Sequence, residues 1–454
     1  MTSPVLTRGT ETGVPTLDDA QSAVAGAVAD GGRHVVHGAP GSGKTRLAVA
    51  LTVAEADRGG RPMLLVPTRL GAGALRAEVT RRIGRTLDAP VVRTPASLAF
   101  AILRLRASHL GEPPPTLISG PEQDQVLAEL LAGHAEGVGA RVEWPEGIGP
   151  RTWGLQAFRN ELRDVLMRAA EAGLDGPALS ELGRQRGRPE WVGAGQILTE
   201  YTQVMALGQM TPDRGARYDP AGIVDEAVTA LVTWEQVLPD VPRPRWSLVV
   251  HDDYQDATLA TARLLDVLGS DGATVAVLGD ADAAVQSFRG GVPALMATAA
   301  APAARDGTAD GAWGAREHVL TTVWRHGEWL REPIRRLTGS LPVLTAAARR
   351  EAPGAPEAAE FEDGEPESLP RGLRTAVLGS PAQEVAFVAR QLRAARLRHQ
   401  VPWAQMAVVA RSSAQLGTIR RGLRAAGVPL AAAAPDRPLR EEPAVRPLLA
   451  VLRT

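Results

Sequence analysis

Residues 38–45 read GAPGSGKT, the complete G-x-x-x-x-G-K-T spacing of a loop that wraps phosphate groups. Gly38, Gly41 and Gly43 let backbone N–H groups turn inward; Lys44 supplies a compact cation and Thr45 a hydroxyl for Mg2+. The apolar pair Val35 and Val36 precedes the loop, and a helical pattern from Arg46 to Ala56 follows it. Residues 61–67 (RPMLLVP) then read as a second buried strand, completing the context that the motif requires. The plainer alternative is a glycine-rich turn that binds nothing. Composition argues against it: the chain has 49 arginines and a single lysine, and that lysine is Lys44. Arginine's planar fork cannot stand in for a compact ammonium inside a triphosphate cradle. The expected ligands are ATP and Mg2+, gripped by residues 38–46: Gly38, Ala39, Pro40, Gly41, Ser42, Gly43, Lys44, Thr45 and Arg46.

Further along, residues 246–250 (WSLVV) read as a third buried strand ending in His251, Asp252 and Asp253, and 274–278 (TVAVL) as a fourth ending in Gly279 and Asp280. Continuous apolar runs that end in acids suit a parallel sheet covered on both faces, with ligands at the carboxyl ends of its strands. Asp252 is the candidate metal ligand and Asp253 the candidate to orient the attacking water. The alternative is an acidic strand end that caps a helix. Between the second and third strands the pattern is helical, and 158–173 places Leu162, Val165, Leu166 and Ala169 on one face. A second parallel-sheet unit is expected from near Val319, with strands at 374–378 and 406–410 around a helix at 383–397. Residues 346–371, rich in Ala, Glu, Pro and Gly, read as a linker or surface excursion.

At 454 residues two or three compact units are expected. A net charge of −1 offers no bulk attraction for nucleic acid, so any DNA contact must come from local surfaces. With no cysteine, disulfides, cysteine-ligated zinc and iron–sulfur clusters are excluded. The eight histidines show no metal-ligand spacing. No apolar run approaches the roughly 18 residues of a membrane span, and the first residues do not read as a signal peptide. A cytoplasmic setting is expected.

The string HDDYQD at 251–256, downstream of GAPGSGKT, resembles the superfamily 1 DNA helicases of the UvrD/Rep kind. Other stretches resemble that family's motifs in order. LDDAQSAV at 17–24 implies that Gln21 reads the adenine edge. Thr68, and Thr94 within RTPASLAFAILR, imply single-strand DNA contacts, with Arg69 and Arg76 as further phosphate candidates. GDADAAVQSFRGG at 279–291 resembles the stretch that couples nucleotide to DNA and implies base stacking on Phe288 beside Arg289; a core phenylalanine beside a surface arginine is the alternative. LTTVWR at 320–325 implies that Trp324 stacks on adenine and that Arg325 reaches the γ-phosphate across an interdomain cleft. The resemblance implies an α/β P-loop NTPase with two RecA-like parallel-sheet domains, the second incomplete, and an inserted helical subdomain. Its divisions fall at 1–110 with 214–300, 111–213, and 314–454. It further implies 3′-to-5′ translocation on single-stranded DNA or from duplex ends, in DNA repair and recombination.

LISGPEQDQVLAEL at 117–130, WPEGI at 144–148 and FRNELRDVLMRA at 158–169 resemble, more narrowly, the AdnA-type motor subunits of actinobacterial AdnAB helicase–nucleases, implying a second motor or nuclease subunit as partner. The departures are specific. Asp253 stands where the family has glutamate, Ala283 at a γ-phosphate-sensing glutamine, Gln286 at a tyrosine, Ala96 at a histidine and Val323 at an asparagine. The family's last motifs are absent before Thr454, with 442–453 resembling an internal helix, so a C-terminally truncated chain is expected. A partly degenerate, ATP-binding regulatory subunit is the alternative function. A small-molecule kinase is a third possibility, permitted by the loop alone.

Overall fold

The computed structural model describes residues 13–85, 89–209, 216–220, 222–302, 311–354 and 374–431. The chain divides into two compact units, Met1–Pro356 and Glu357–Thr454.

The first unit is built on a parallel sheet. Its strands are β1 (Arg33–His37), β2 (Pro62–Leu65), β3 (Val92–Arg93), β6 (Leu248–His251), β7 (Thr274–Gly279) and β8 (Arg316–Val319), in spatial order β3-β2-β6-β7-β1-β8. Successive side chains on a strand point to opposite faces, so uninterrupted apolar runs fill two cores at once. Val35, Met63, Leu65, Val249, Val275 and Val277 face one core, with helices Pro95–Leu110, Ile223–Val232 and Leu259–Ser270. Val36, Leu64, Leu248, Val250, Ala276 and Leu278 face the other, against Asp19–Ala29, Lys44–Asp57 and Arg69–Ile83. Each buried Val or Leu contributes about 1.5–3 kcal/mol, so both faces must be covered for the sheet to persist. The acids and glycines that follow β1, β6 and β7 are thereby gathered at one edge.

Between β3 and β6 the chain leaves the sheet. Two short strands, β4 (Thr116–Leu117) and β5 (Arg217–Tyr218), pair in parallel where it departs and returns. Helices Gly120–Ala135, Gln156–Glu171, Gly176–Arg186 and Pro189–Gln209 lie between them, around a separate core that includes Leu127, Leu131, Leu162, Leu166 and Ile197. Gly176 and Gly195 let two of these helices meet closely: a Cβ at either would fall within 2.5 Å of the other's carbonyl oxygen.

Three expectations change. The strand near Val319 does not open a second sheet: β8 pairs with β1 at the edge of the first. Residues 348–351 are a short helix with two buried arginines, not a surface excursion; the rest of that segment, 355–373, lies outside the described residues. In the second unit, 374–378 and 406–410 form no ladder among the described residues, and Val377 and Val409 are almost wholly exposed. A β-prone segment becomes a strand only when a neighbour supplies ladder partners, and among the described residues neither segment has one. That unit's described core is helical: Pro381–Arg398 packs on Ser413–Ala425 through Ala389, Ile419 and Leu423. The helix expected at 442–453 is outside the described residues. Among the described residues no helix is long and apolar enough to cross a membrane.

Candidate functional site

β1 delivers the chain to the glycine loop, where the Gly38 N–H donates to the Gly279 carbonyl at 3.2 Å. Gly41 and Gly43 adopt φ of +86° and +84°, a region that side chains disfavour. Space excludes a side chain as well: a Cβ on Gly41 would meet Arg325 Cβ at 2.8 Å, and one on Gly43 would meet Gln21 Nε2 at 2.4 Å. Lys44 opens the following helix, with its Nζ donating to the carbonyls of Gly38 (2.7 Å) and Ala39 (3.2 Å). Burial lowers its pKa; Asp280, Asp252 and Asp253 oppose that shift and Arg325 adds to it. A cation held in low dielectric among acids is placed to exchange its carbonyl partners for an anion.

At the end of β6, Asp252 is 2% exposed. Burial pushes its carboxyl up to about 6, with Asp253 adding to the shift and the Thr45 hydroxyl and Lys44 holding it back. Asp253 is exposed and has φ of +53°. Aspartate enters this left-handed region several-fold more readily than most residues, which gives a physical reason for the shorter acid here. Gln255 bridges two strand ends, its Nε2 donating to Asp253 Oδ1 at 3.2 Å and its Oε1 accepting from the Asp280 N–H at 3.0 Å. Among the described residues, two buried oxygens nearby, Ser42 Oγ and Asp252 Oδ1, have no hydrogen-bond partner. An open glycine cradle, an ammonium, a hydroxyl and an unpartnered carboxylate oxygen together fit a triphosphate with a hard divalent cation.

The expected adenine residues gather on the same side. Gln21 is buried; its Nε2 donates to the Ser42 carbonyl at 3.1 Å and its Oε1 accepts from the Asp18 N–H at 3.2 Å. Trp324 is 44% exposed, and its indole N–H donates to Asp18 Oδ2 at 2.6 Å. Arg46 holds Thr16 through its carbonyl and hydroxyl. The backbone N–H groups of Trp324 and Arg325 both donate to the Gly41 carbonyl, at 2.9 and 3.2 Å. Arg325 therefore approaches the loop from within the first unit, instead of across an interdomain cleft as the resemblance implied.

The expected DNA residues separate into two places. Thr68 and Thr94 are helix N-caps, accepting from the N–H groups of Gly71 (3.1 Å) and Ser97 (3.2 Å). Thr94, Arg69, Arg76 and Ala96 line one groove with Ser97 and Phe100. Arg76 donates to the Val92 carbonyl, and its charge helps burial lower the pKa of Arg93, so the basic character there is concentrated. Phe288 lies outside that groove and is 71% exposed, with the Arg289 guanidinium 5.2 Å from its ring centre. That exposure removes the core-phenylalanine alternative. From the helical insertion, Arg168 Nη1 donates to the Phe288 carbonyl at 3.3 Å.

The sequence reading missed a buried charge cluster. Arg349 and Arg350 pair with Asp280 and Asp282, and Arg331 donates to three backbone carbonyls. The acids of GDAD were in view, but their partners sit in TAAARREAP, a stretch whose composition is that of a linker. It also missed Asp256, whose Oδ1 accepts from the N–H groups of Val285 (2.8 Å) and Gln286 (2.9 Å) and fixes the loop that presents Phe288.

Comparison with known proteins agrees with this geometry. The family model for the UvrD/REP helicase N-terminal domain matches residues 17–303, more than half of the chain. No curated protein matches. The matched span contains the glycine loop, the acids of β6 and the Phe288 loop on one P-loop, RecA-like sheet, and the chain belongs to the UvrD/REP family of DNA helicases.

Proposed function

We propose that this chain is an ATP-driven motor that moves 3′ to 5′ along single-stranded DNA in DNA repair and recombination, with a second motor or nuclease subunit as its partner. The observation that carries the motor reading is the single edge on which Lys44, Thr45, Asp252 and Asp253 meet the loop bearing Phe288. Lys44 leaves the Gly38 and Ala39 carbonyls for the β- and γ-phosphates of ATP. Thr45 and Asp252 are the residues to hold Mg2+, which when bound draws charge from the transferring phosphoryl group. Asp253 orients water, Gln21 and Trp324 grip the adenine, and Arg325 stabilises the γ-phosphate. Phe288 gives one base a stacking face, and the groove at Thr94, Arg69 and Arg76 follows the phosphates. The resemblance of 117–130, 144–148 and 158–169 to AdnA-type subunits is what suggests the partner and the repair role.

The test is ATP hydrolysis by the purified chain with and without single-stranded DNA. Stimulation by DNA supports the motor; turnover indifferent to DNA sinks it. Phe288→Ala should weaken single-strand binding by about 1–3 kcal/mol, the usual value of one stacked base. Its melting temperature should stay near wild type because the ring is exposed. Fluorescence anisotropy with a labelled oligonucleotide measures this, and unchanged affinity would remove Phe288 from the DNA surface.

A second reading rests on Ala283, which stands where the resemblance implies a γ-phosphate-sensing glutamine, and on Gln286, where it implies a tyrosine. It makes the chain an ATP-binding regulatory subunit. ATP binding without DNA-stimulated turnover, with activity gained only on adding a partner subunit, favours it.

A further inference from the structure

We infer that Arg349 and Arg350 form a latch that makes the nucleotide cradle and the loop carrying Phe288 move as one body. The inference rests on the nucleotide-and-DNA reading above and names positioning residues within it.

One side of the latch touches the cradle. The Val323 N–H donates to the Pro353 carbonyl at 2.9 Å, and Val323 bridges to Gly354. Ala39 of the glycine loop, Val323 of the arm formed by residues 320–325, and Ala352 pack as one buried apolar cluster. Arg331, 1% exposed, donates to the carbonyls of Ala352 (2.7 Å), Arg350 (2.8 Å) and Arg349 (3.1 Å), so this turn is fixed by a buried cation. The segment behind Trp324 and Arg325 is thereby bound to the phosphate loop itself.

The other side grips the start of the Phe288 loop. Arg349 Nε donates to Asp280 Oδ1 at 2.7 Å, and its Nη2 lies 2.8 Å from Asp282 Oδ2. Arg350 forks onto both oxygens of Asp282, at 2.7 Å each. Asp280 also acts on Lys44, opposing the lowering of its pKa by burial. Asp256 holds the same loop at Val285 and Gln286. The Arg350 fork fixes orientation as well as distance, Arg349 adds one hydrogen bond to Asp280, and buried pairs are little screened by salt. A nucleotide that shifts the arm or the loop at Ala39 therefore displaces Asp280 and Asp282, and with them the approach to Phe288. Coupling of this kind needs a contiguous network with fixed geometry, and the path from Ala39 through Val323, Ala352 and Arg349 to Asp280 is one.

Hydrogen–deuterium exchange of the full chain, with and without the Mg2+ complex of a slowly hydrolysed ATP analogue, tests this. In wild type, nucleotide should slow exchange both at 38–45 and at 281–291. An Arg350→Met and Asp282→Asn double variant keeps the Arg349–Asp280 pair and leaves no unpaired charge, which protects the fold. In it the slowing at 38–45 should remain and that at 281–291 should fall to what the Arg349–Asp280 pair alone carries, while Arg350→Lys, which keeps charge without the fork, loses less. The latch is overturned if wild type responds at 38–45 but not at 281–291. It is equally overturned if the folded double variant responds at 281–291 as strongly as wild type. No response at 38–45 refutes the nucleotide reading itself, and the latch with it.

Discussion

A Lys44→Ala chain should hydrolyse ATP roughly 10²–10³-fold more slowly than wild type, the loss expected when one preorganised charge is removed from a developing anion. The chain holds no other lysine, so no neighbouring ammonium can take the position. Binding should suffer less than turnover, because the glycine loop and the positive end of the following helix still attract phosphate. Lys44→Arg should not rescue. The cradle that seats Nζ between the Gly38 and Ala39 carbonyls leaves Lys44 only 9% exposed, and a planar fork does not fit where a point charge does. Losing Nζ leaves two carbonyls without this donor, at about 1–3 kcal/mol for a buried unsatisfied group, so thermal melting must accompany the rate measurement. A folded Lys44→Ala chain that turns over ATP like wild type would remove Lys44 from the mechanism.

Legibility in the sequence followed how local each signal was. The glycine loop, the following helix and strands β1, β2, β6 and β7 were readable because each is a short run whose residues alone dictate its geometry. Both sheet faces are covered, so those runs needed no alternation to be recognised. β8 was placed in the wrong sheet because REHV has neither an apolar run nor a turn signal to say that its partner is β1. Residues 374–378 and 406–410 have strand composition, but composition cannot supply a neighbour. The Arg349 and Arg350 pairs span nearly seventy positions, and a pair of arginines in an Ala- and Pro-rich stretch reads as solvated surface until its acids are located. Arg325 was assigned to the wrong unit on the same ground: its residue type marks a phosphate partner, but only the hydrogen bonds to Gly41 reveal which unit carries it.

Asp252→Asn should stabilise the metal-free chain above pH 6 while abolishing its Mg2+-dependent turnover. Burial, with Asp253 adding to it, raises the Asp252 carboxyl from an ordinary value near 3.8 to about 6. The folded chain therefore binds this proton more tightly than the unfolded chain does. The stability contributed by Asp252 is fully present below pH 4 and is lost as pH rises through 6. A shift of about two pKa units corresponds to about 3 kcal/mol. Asparagine is nearly isosteric and carries no charge to bury, so melting curves in EDTA should separate the variant from wild type at pH 8 and converge near pH 4. Mg2+ with an ATP analogue should stabilise wild type more than the variant, since only an ionised carboxylate offers the cation a hard anionic oxygen. On the proposed reading, aspartate is kept here at a cost to the metal-free protein that metal-dependent chemistry would explain. A melting difference that stays constant from pH 4 to pH 8 would show that Asp252 is not the group titrating, and would return the end of β6 to a purely structural role.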